Sequence, residues 1–193
     1  FEAMGTRQVL NALEQGGIDA GMFLSHPRAD TLVQQGLIFD RKPVARTDVL
    51  LLGPAEDVAG IRGQTDAGRA LLQVLAACRA GAASWHPLEA DSALEALAHQ
   101  LSGGQLRALL SMAASVQTGA RLPSYRLMTR AQWQASPPQG ESRKIWMAGG
   151  PKMVLEAQIA CAFHSRHPGA KLLVNWLQWP LAQSAVKASR PGW

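Results

Sequence analysis

Residues 44–52 read as one extended strand closing on Val49-Leu50-Leu51-Leu52, and Gly53-Pro54 cuts it off. Around it, short β-like runs alternate with longer stretches of helical spacing. Residues 18–24 form a buried run, 124–128 alternate, and 144–147 and 155–163 are further strands. Between them, 66–79 sets Leu71, Leu72, Val74 and Leu75 at helical positions, and 6–15, 29–35, 89–101 and 105–116 follow the same period. A short helix is expected over 131–134, a short strand at best over 82–85, and a loop over 136–140. The chain closes on a long helix over 169–188, with Pro180 as a kink or break. This alternation predicts an α/β fold.

The size fits one ordinary domain or two small lobes, at 193 residues. With 47% hydrophobic and 17% charged residues, the chain has enough apolar material for a real core. Its net charge is +5, a surplus compatible with an anionic ligand. The basic residues are scattered from Arg7 to Arg190 without the dense run of a nucleic-acid arm. No apolar stretch is long enough to span a bilayer. The chain opens at Phe1 and enters helical sequence almost at once, which reads as a mature or trimmed product. Cys78 and Cys161 make no disulfide framework and are expected to be buried, unpaired thiols.

Small oxyanions are held by convergent N–H groups, hydroxyls and an occasional arginine, often where a helix begins. Gly5-Thr6 has that form, although a threonine at a helix start is more often only a cap. Thr129-Arg130 lies at a strand-to-helix junction, where α/β proteins place ligands, and reads equally as a capping Thr with a surface Arg. His26 and His86 each precede a proline at a strand end, where an ordinary loop histidine is the commoner role. Cys161, His164 and His167 share a spacing of three, but a strand running into a turn would not bring them to one metal. Trp176 and Trp179 sit at helical spacing and are expected in the core. Asp30, Asp40, Asp48 and Glu56-Asp57 read as charged turn residues. Gly-x-Ser-x-Gly, Walker and His-Glu-x-x-His motifs are all missing, so no catalytic residue is assigned.

Four blocks recur in an order that points to a family. The first is Gly5-Thr6 with its helix and Ile18-Asp19-Ala20-Gly21-Met22-Phe23-Leu24-Ser25-His26. The second, and most specific, is Asp48, the apolar run, and Gly53-Pro54-x-x-Asp57-x-Ala59-Gly60-Ile61. The third is Ser124-Tyr125-Arg126-Leu127-Met128-Thr129-Arg130 with Trp133. The fourth runs from His167-Pro168-Gly169-Ala170-Lys171 through Trp176 and Gln183. Together they resemble the tungstate/molybdate-type substrate-binding proteins of ABC transporters, a branch of the type II periplasmic binding protein fold. Relative to that family, Arg46-Thr47 replace an opening Tyr-Asn, and the chain begins after a strand and Thr/Ser-rich loop. The family's Ser-Arg-Gly-Asp-Asp-Ser-Gly-Thr loop reads here Ser84-Trp85-His86-Pro87-Leu88-Glu89-Ala90-Asp91-Ser92.

The resemblance implies a two-lobed fold, each lobe a sheet flanked by helices, with lobe 1 over 1–47 and 143–193 and lobe 2 over 48–142. It implies a solute-binding protein of an ABC importer that holds a small oxyanion between the lobes, in the periplasm or lipid-anchored outside the cell. The ligand groups expected are Thr6, Ser25, His26, His86, Thr129 and Arg130. The partners expected are the oxyanion and a transporter permease. No cofactor, metal, nucleic acid or membrane insertion is called for, and no enzyme activity. The missing Thr/Ser-rich loop and the altered second loop imply that tungstate is bound weakly or not at all, in a cleft that stays electropositive. Two other roles fit the same fold: a ligand-sensing regulatory module, and a degenerate relative that no longer binds an oxyanion.

Overall fold

The computed structural model describes residues 2, 4–114, 122–136 and 144–189. The elements in chain order are α1 (Thr6–Glu14), β1 (Ala20–Leu24), α2 (Pro27–Gln34), β2 (Ile38–Gly53), α3 (Ala67–Arg79), β3 (Ser84–Trp85), α4 (Ala93–Leu101), α5 (Leu106–Ala114), β4 (Ser124–Thr129), α6 (Arg130–Ala135), β5 (Lys144–Ala148), β6 (Val154–Ala162), α7 (Pro168–Trp176) and α8 (Pro180–Ser189). The chain forms two compact units: Phe1–Thr47 with Asp91–Ala93 and Leu155–Trp193, and Asp48–Ala90 with Leu94–Val154.

In the first unit β6 lies between β1 and β2, antiparallel to β1, with Ala20 opposite Cys161 and Leu24 opposite Ala157. Successive side chains of a strand point to opposite faces, and β6 uses this to build two cores. Ala160 and Ala162, with Phe23 and Ile38, meet Val9, Leu10 and Leu13 of α1 and Ala29 and Leu32 of α2. Ile159 and Cys161, with Val44, meet Ala170 and Val174 of α7 and Leu177 just after it. Leu10, Leu13 and Leu32 are at most 1% exposed, and burial of each such side chain contributes about 1.5–3 kcal/mol. The sheet of this unit is thus covered by helices on both faces.

The second unit is organised by the apolar end of β2. Leu50, Leu51 and Leu52 pair antiparallel with β4 through Met128, Leu127 and Arg126, and with β5 through Ala148, Met147 and Ile145. Both edges of β2 are therefore occupied. β3 joins the far side of β4 in parallel register, Ser84 beside Ser124 and Trp85 beside Tyr125. Asp66 caps α3 by accepting from the Arg69 amide at 2.8 Å, and the helix buries Ala67, Ala70, Leu71, Val74, Leu75 and Cys78.

The strand expected over 44–52 begins six residues earlier, at Ile38, because its first part pairs in the sheet of the first unit. Pro180 does break the closing helix: α7 ends at Trp176 and α8 starts on the proline itself, where the missing N–H costs nothing. Trp176 and Trp179 are corrected outward, at 43% and 61% exposed, since Val174 and Leu177 take the inward positions. The expected loop 136–140, apart from Ser136, and the end of the helix expected to 116 lie outside the described residues. Cys78 and Cys161 are both buried and unbridged. No helix among the described residues is long and apolar enough to cross a membrane.

Candidate functional site

In the first unit the fold gathers Thr6, Ser25 and His26 at the carboxyl end of β1. α1 starts on Gly5, so Thr6 is its first helical residue and not its cap. The Thr6 hydroxyl instead accepts from the Leu24 amide at 3.3 Å, tying the helix start to the strand end. Ser25 continues the ladder: its N–H donates to the Glu156 carbonyl at 2.7 Å and its Oγ accepts from the Glu156 amide at 3.2 Å. His26 caps α2, with Nδ1 accepting from the Arg28 amide at 3.1 Å. Both hydroxyls accept from the backbone, so each keeps its own proton to donate. With Nδ1 an acceptor, the neutral imidazole carries its proton on Nε2. The partly buried guanidinium beside them, Arg28, is spent on Asn11 and Glu14.

In the second unit His86, Thr129 and Arg130 line the β3/β4 edge and the strand-to-helix turn after it. His86 follows β3, is exposed, and its amide donates to the Tyr125 carbonyl at 2.8 Å. Its Nδ1 contacts Arg126 Nη2 at 3.0 Å. Partial loss of hydration against its neighbours, and then the Arg126 charge, push the His86 ring below its ordinary pKa. Thr129 caps α6 in a reciprocal box, Oγ1 accepting from the Gln132 amide at 3.1 Å while Gln132 Oε1 accepts from the Thr129 amide at 3.0 Å. It is 3% exposed and serves the turn. Arg130 Nε donates to Asp48 Oδ2 at 3.0 Å. Gly149, at φ +65, would bring a Cβ within 3.3 Å of that carboxylate, so only a glycine fits there without crowding the pair.

Sequence reasoning missed two participants. Asp48, expected as an isolated turn acid, is the partner that neutralises Arg130. Arg126, passed over between Tyr125 and Leu127, is a half-buried guanidinium with no carboxylate partner among the described residues. Its signal was present: a strand alternating buried and half-buried positions seats a charge at Arg126, and such a charge needs a counterpart. Cys161, His164 and His167 do not assemble; His167 caps α7, and the described residues hold no cluster able to bind a metal.

Block 53–61 is a clamp on one tyrosine. Tyr125 is completely buried, and a Cβ on Gly53 would lie 2.4 Å from its ring. Pro54 accepts from Trp146 Nε1 at 2.9 Å, and the Ala59 amide donates to the Tyr125 hydroxyl at 3.2 Å. Asp57 closes the turn by accepting from the Ile61 and Arg62 amides at 2.7 and 2.8 Å. The motif holds a fold element together.

No family model matches the chain, and no curated protein matches it. Solved structures do. A periplasmic protein described as a candidate metal binder aligns with TM-score 0.76 at 18% identity, over 95% of this chain and 77% of its own. The tungstate-binding protein TupA of Desulfovibrio alaskensis G20 aligns at 0.63 and 20% identity, over 96% and 80%. The tungstate ABC transporter structure from Geobacter sulfurreducens gives 0.61 and 21%, over 96% and 83%. A LysR-type substrate-binding domain of a periplasmic protein from Wolinella succinogenes gives 0.53 and 15%, over 97% and 85%. With sheets flanked by helices in two compact units, the chain has the α/β fold of the periplasmic binding proteins.

Proposed function

We propose that this protein binds a small oxyanion of the tungstate/molybdate kind and serves an ABC importer as its solute-binding component in the periplasm, with the transporter permease as its partner. The observation that carries the reading is the shared fold with two structures named for tungstate. The candidate ligand groups agree in chemistry: Thr6, Ser25 and His26 in one unit, His86, Thr129 and Arg130 in the other. Hydroxyl and imidazole donors at strand ends would replace the hydration of an oxyanion, while Arg130 comes with the Asp48 carboxylate already on it. The lobes expected over 1–47 with 143–193 and over 48–142 are, on this reading, the bodies that close on the ligand.

Titration calorimetry with tungstate, molybdate and sulfate tests it. Saturable binding of tungstate or molybdate, at about one site per chain, is expected. No heat from any of the three up to millimolar ligand would refute it. The LysR-type match favours a second reading, a ligand-sensing module. A helix-turn-helix encoded upstream of Phe1 would select that role, and a signal peptide there the transport role.

A further inference from the structure

We propose that Arg126 supplies the positive charge to the oxyanion, through the edge formed by its Nε and Nη2 donors. This rests on the reading of the chain as an oxyanion binder. Each of the other half-buried arginines among the described residues is already matched by a carboxylate: Arg28 by Glu14, Arg41 by Asp30 and Arg130 by Asp48. Arg126 is matched by none of the described carboxylates. The side edge of a guanidinium is a two-pronged donor shaped for two oxygens of one anion. On Arg126 one prong, Nη2, rests on the imidazole Nδ1 of His86 at 3.0 Å. The other, Nε, is shut off from solvent with no acceptor among the described residues. A charged donor in that condition favours any acceptor that reaches it.

The strand geometry sets His86 over this edge. β3 and β4 run parallel with Trp85 beside Tyr125, so His86 and Arg126 share a face and Trp85 falls on the other. His86 is exposed, so an incoming anion meets the imidazole first and takes over the prong it occupies. The proton on Nε2 of His86 is then a further donor to the same anion.

The test titrates the full chain with tungstate, molybdate and sulfate, by calorimetry and by NMR of the His86 ring. Arg126→Gln is expected to weaken tungstate binding roughly tenfold to hundredfold, the range for one lost charge-assisted hydrogen bond. Arg126→Lys keeps the charge but loses the two-pronged edge, and should recover only part of the loss. Arg62→Gln, at an exposed position, removes the same charge and should bind as the wild type does. The His86 signals should move at the ligand concentrations that saturate the heat. Wild-type binding with Arg126→Gln unaffected would overturn this proposal and leave the oxyanion reading standing. Wild-type protein that takes up none of the three anions would overturn both. If circular dichroism shows Arg126→Gln misfolded, Arg126→Lys decides: affinity within twofold of wild type refutes the two-pronged contact.

Discussion

Replacing Gly53 by alanine is the sharpest test of the tyrosine clamp. The added Cβ would sit 2.4 and 2.5 Å from two ring carbons of Tyr125 and 3.1 Å from Trp146 Cδ1, where about 3.5–4.0 Å is comfortable between carbons. The ring must move by about 1 Å, yet its hydroxyl is tethered to the Ala59 amide and Trp146 to the Pro54 carbonyl. β2 cannot retreat, because β4 and β5 hold it on both edges. Overpacking of this kind costs about 1–3 kcal/mol, and loss of the hydroxyl contact about 1 kcal/mol more. At about 2–4 °C per kcal/mol for a chain of this size, the thermal midpoint should fall by roughly 5–15 °C. Thermal melts followed by circular dichroism would measure it, with Tyr125→Leu and the double variant completing a cycle. Because the small residue is needed only against the ring, the double variant should be more stable than additivity predicts by over about 1 kcal/mol. Additive costs, or a Gly53→Ala protein within about 0.5 kcal/mol of wild type, would show that the clamp is not what fixes this glycine.

Asp48→Asn removes the charge that neutralises Arg130, and the released guanidinium should tighten tungstate binding several-fold by calorimetry; unchanged affinity would exclude Arg130 as a ligand group. Burial pushes the Cys78 thiol up to about 11, from an ordinary value near 9.0. The folded state therefore keeps a proton that the unfolded state releases, and Cys78 lowers stability progressively as pH rises from about 9 towards 11. Urea unfolding of wild type and Cys78→Ala across that range should show a steeper loss in the wild type, since Cys161 and Tyr125, also raised by burial, stay in the variant, while a native-state thiol reagent at pH near 8 should label neither cysteine.

Much of the fold was legible because punctuation and period agree. Gly53-Pro54 ended β2, Pro180 split the last helix, and Leu71, Val74 and Leu75 marked the buried face of α3. What local pattern cannot carry is pairing. β2 begins at Ile38 because of strands that come from distant sequence, and Trp176 and Trp179 face out because Val174 and Leu177 claim the inner positions. The candidate groups were readable one by one as residue types at strand ends. Their state was not: Arg130 met Asp48 across 82 residues and Arg126 met His86 across 40. The block 53–61 carried the most specific resemblance and is a packing device, since its Gly, Asp and Ala each serve Tyr125 or the turn beside it.

α2 and α7 begin the same way, on a histidine followed by proline, and this decides what their first turns can offer. Pro27 and Pro168 have no N–H, the amides of Arg28 and Gly169 are accepted by the imidazoles of His26 and His167 at 3.1 Å, and those of Ala29 and Ala170 by the same histidines' carbonyls at 2.9 and 3.0 Å. The backbone donors that make a helix start attractive to anions are therefore already consumed at both helices, and only side chains can reach outward there. α1 differs: Gly5 has no side chain with which to accept from its first turn. Among these three helices, an anion drawn to backbone donors would be met at the start of α1, whereas at α2 it would meet the His26 ring.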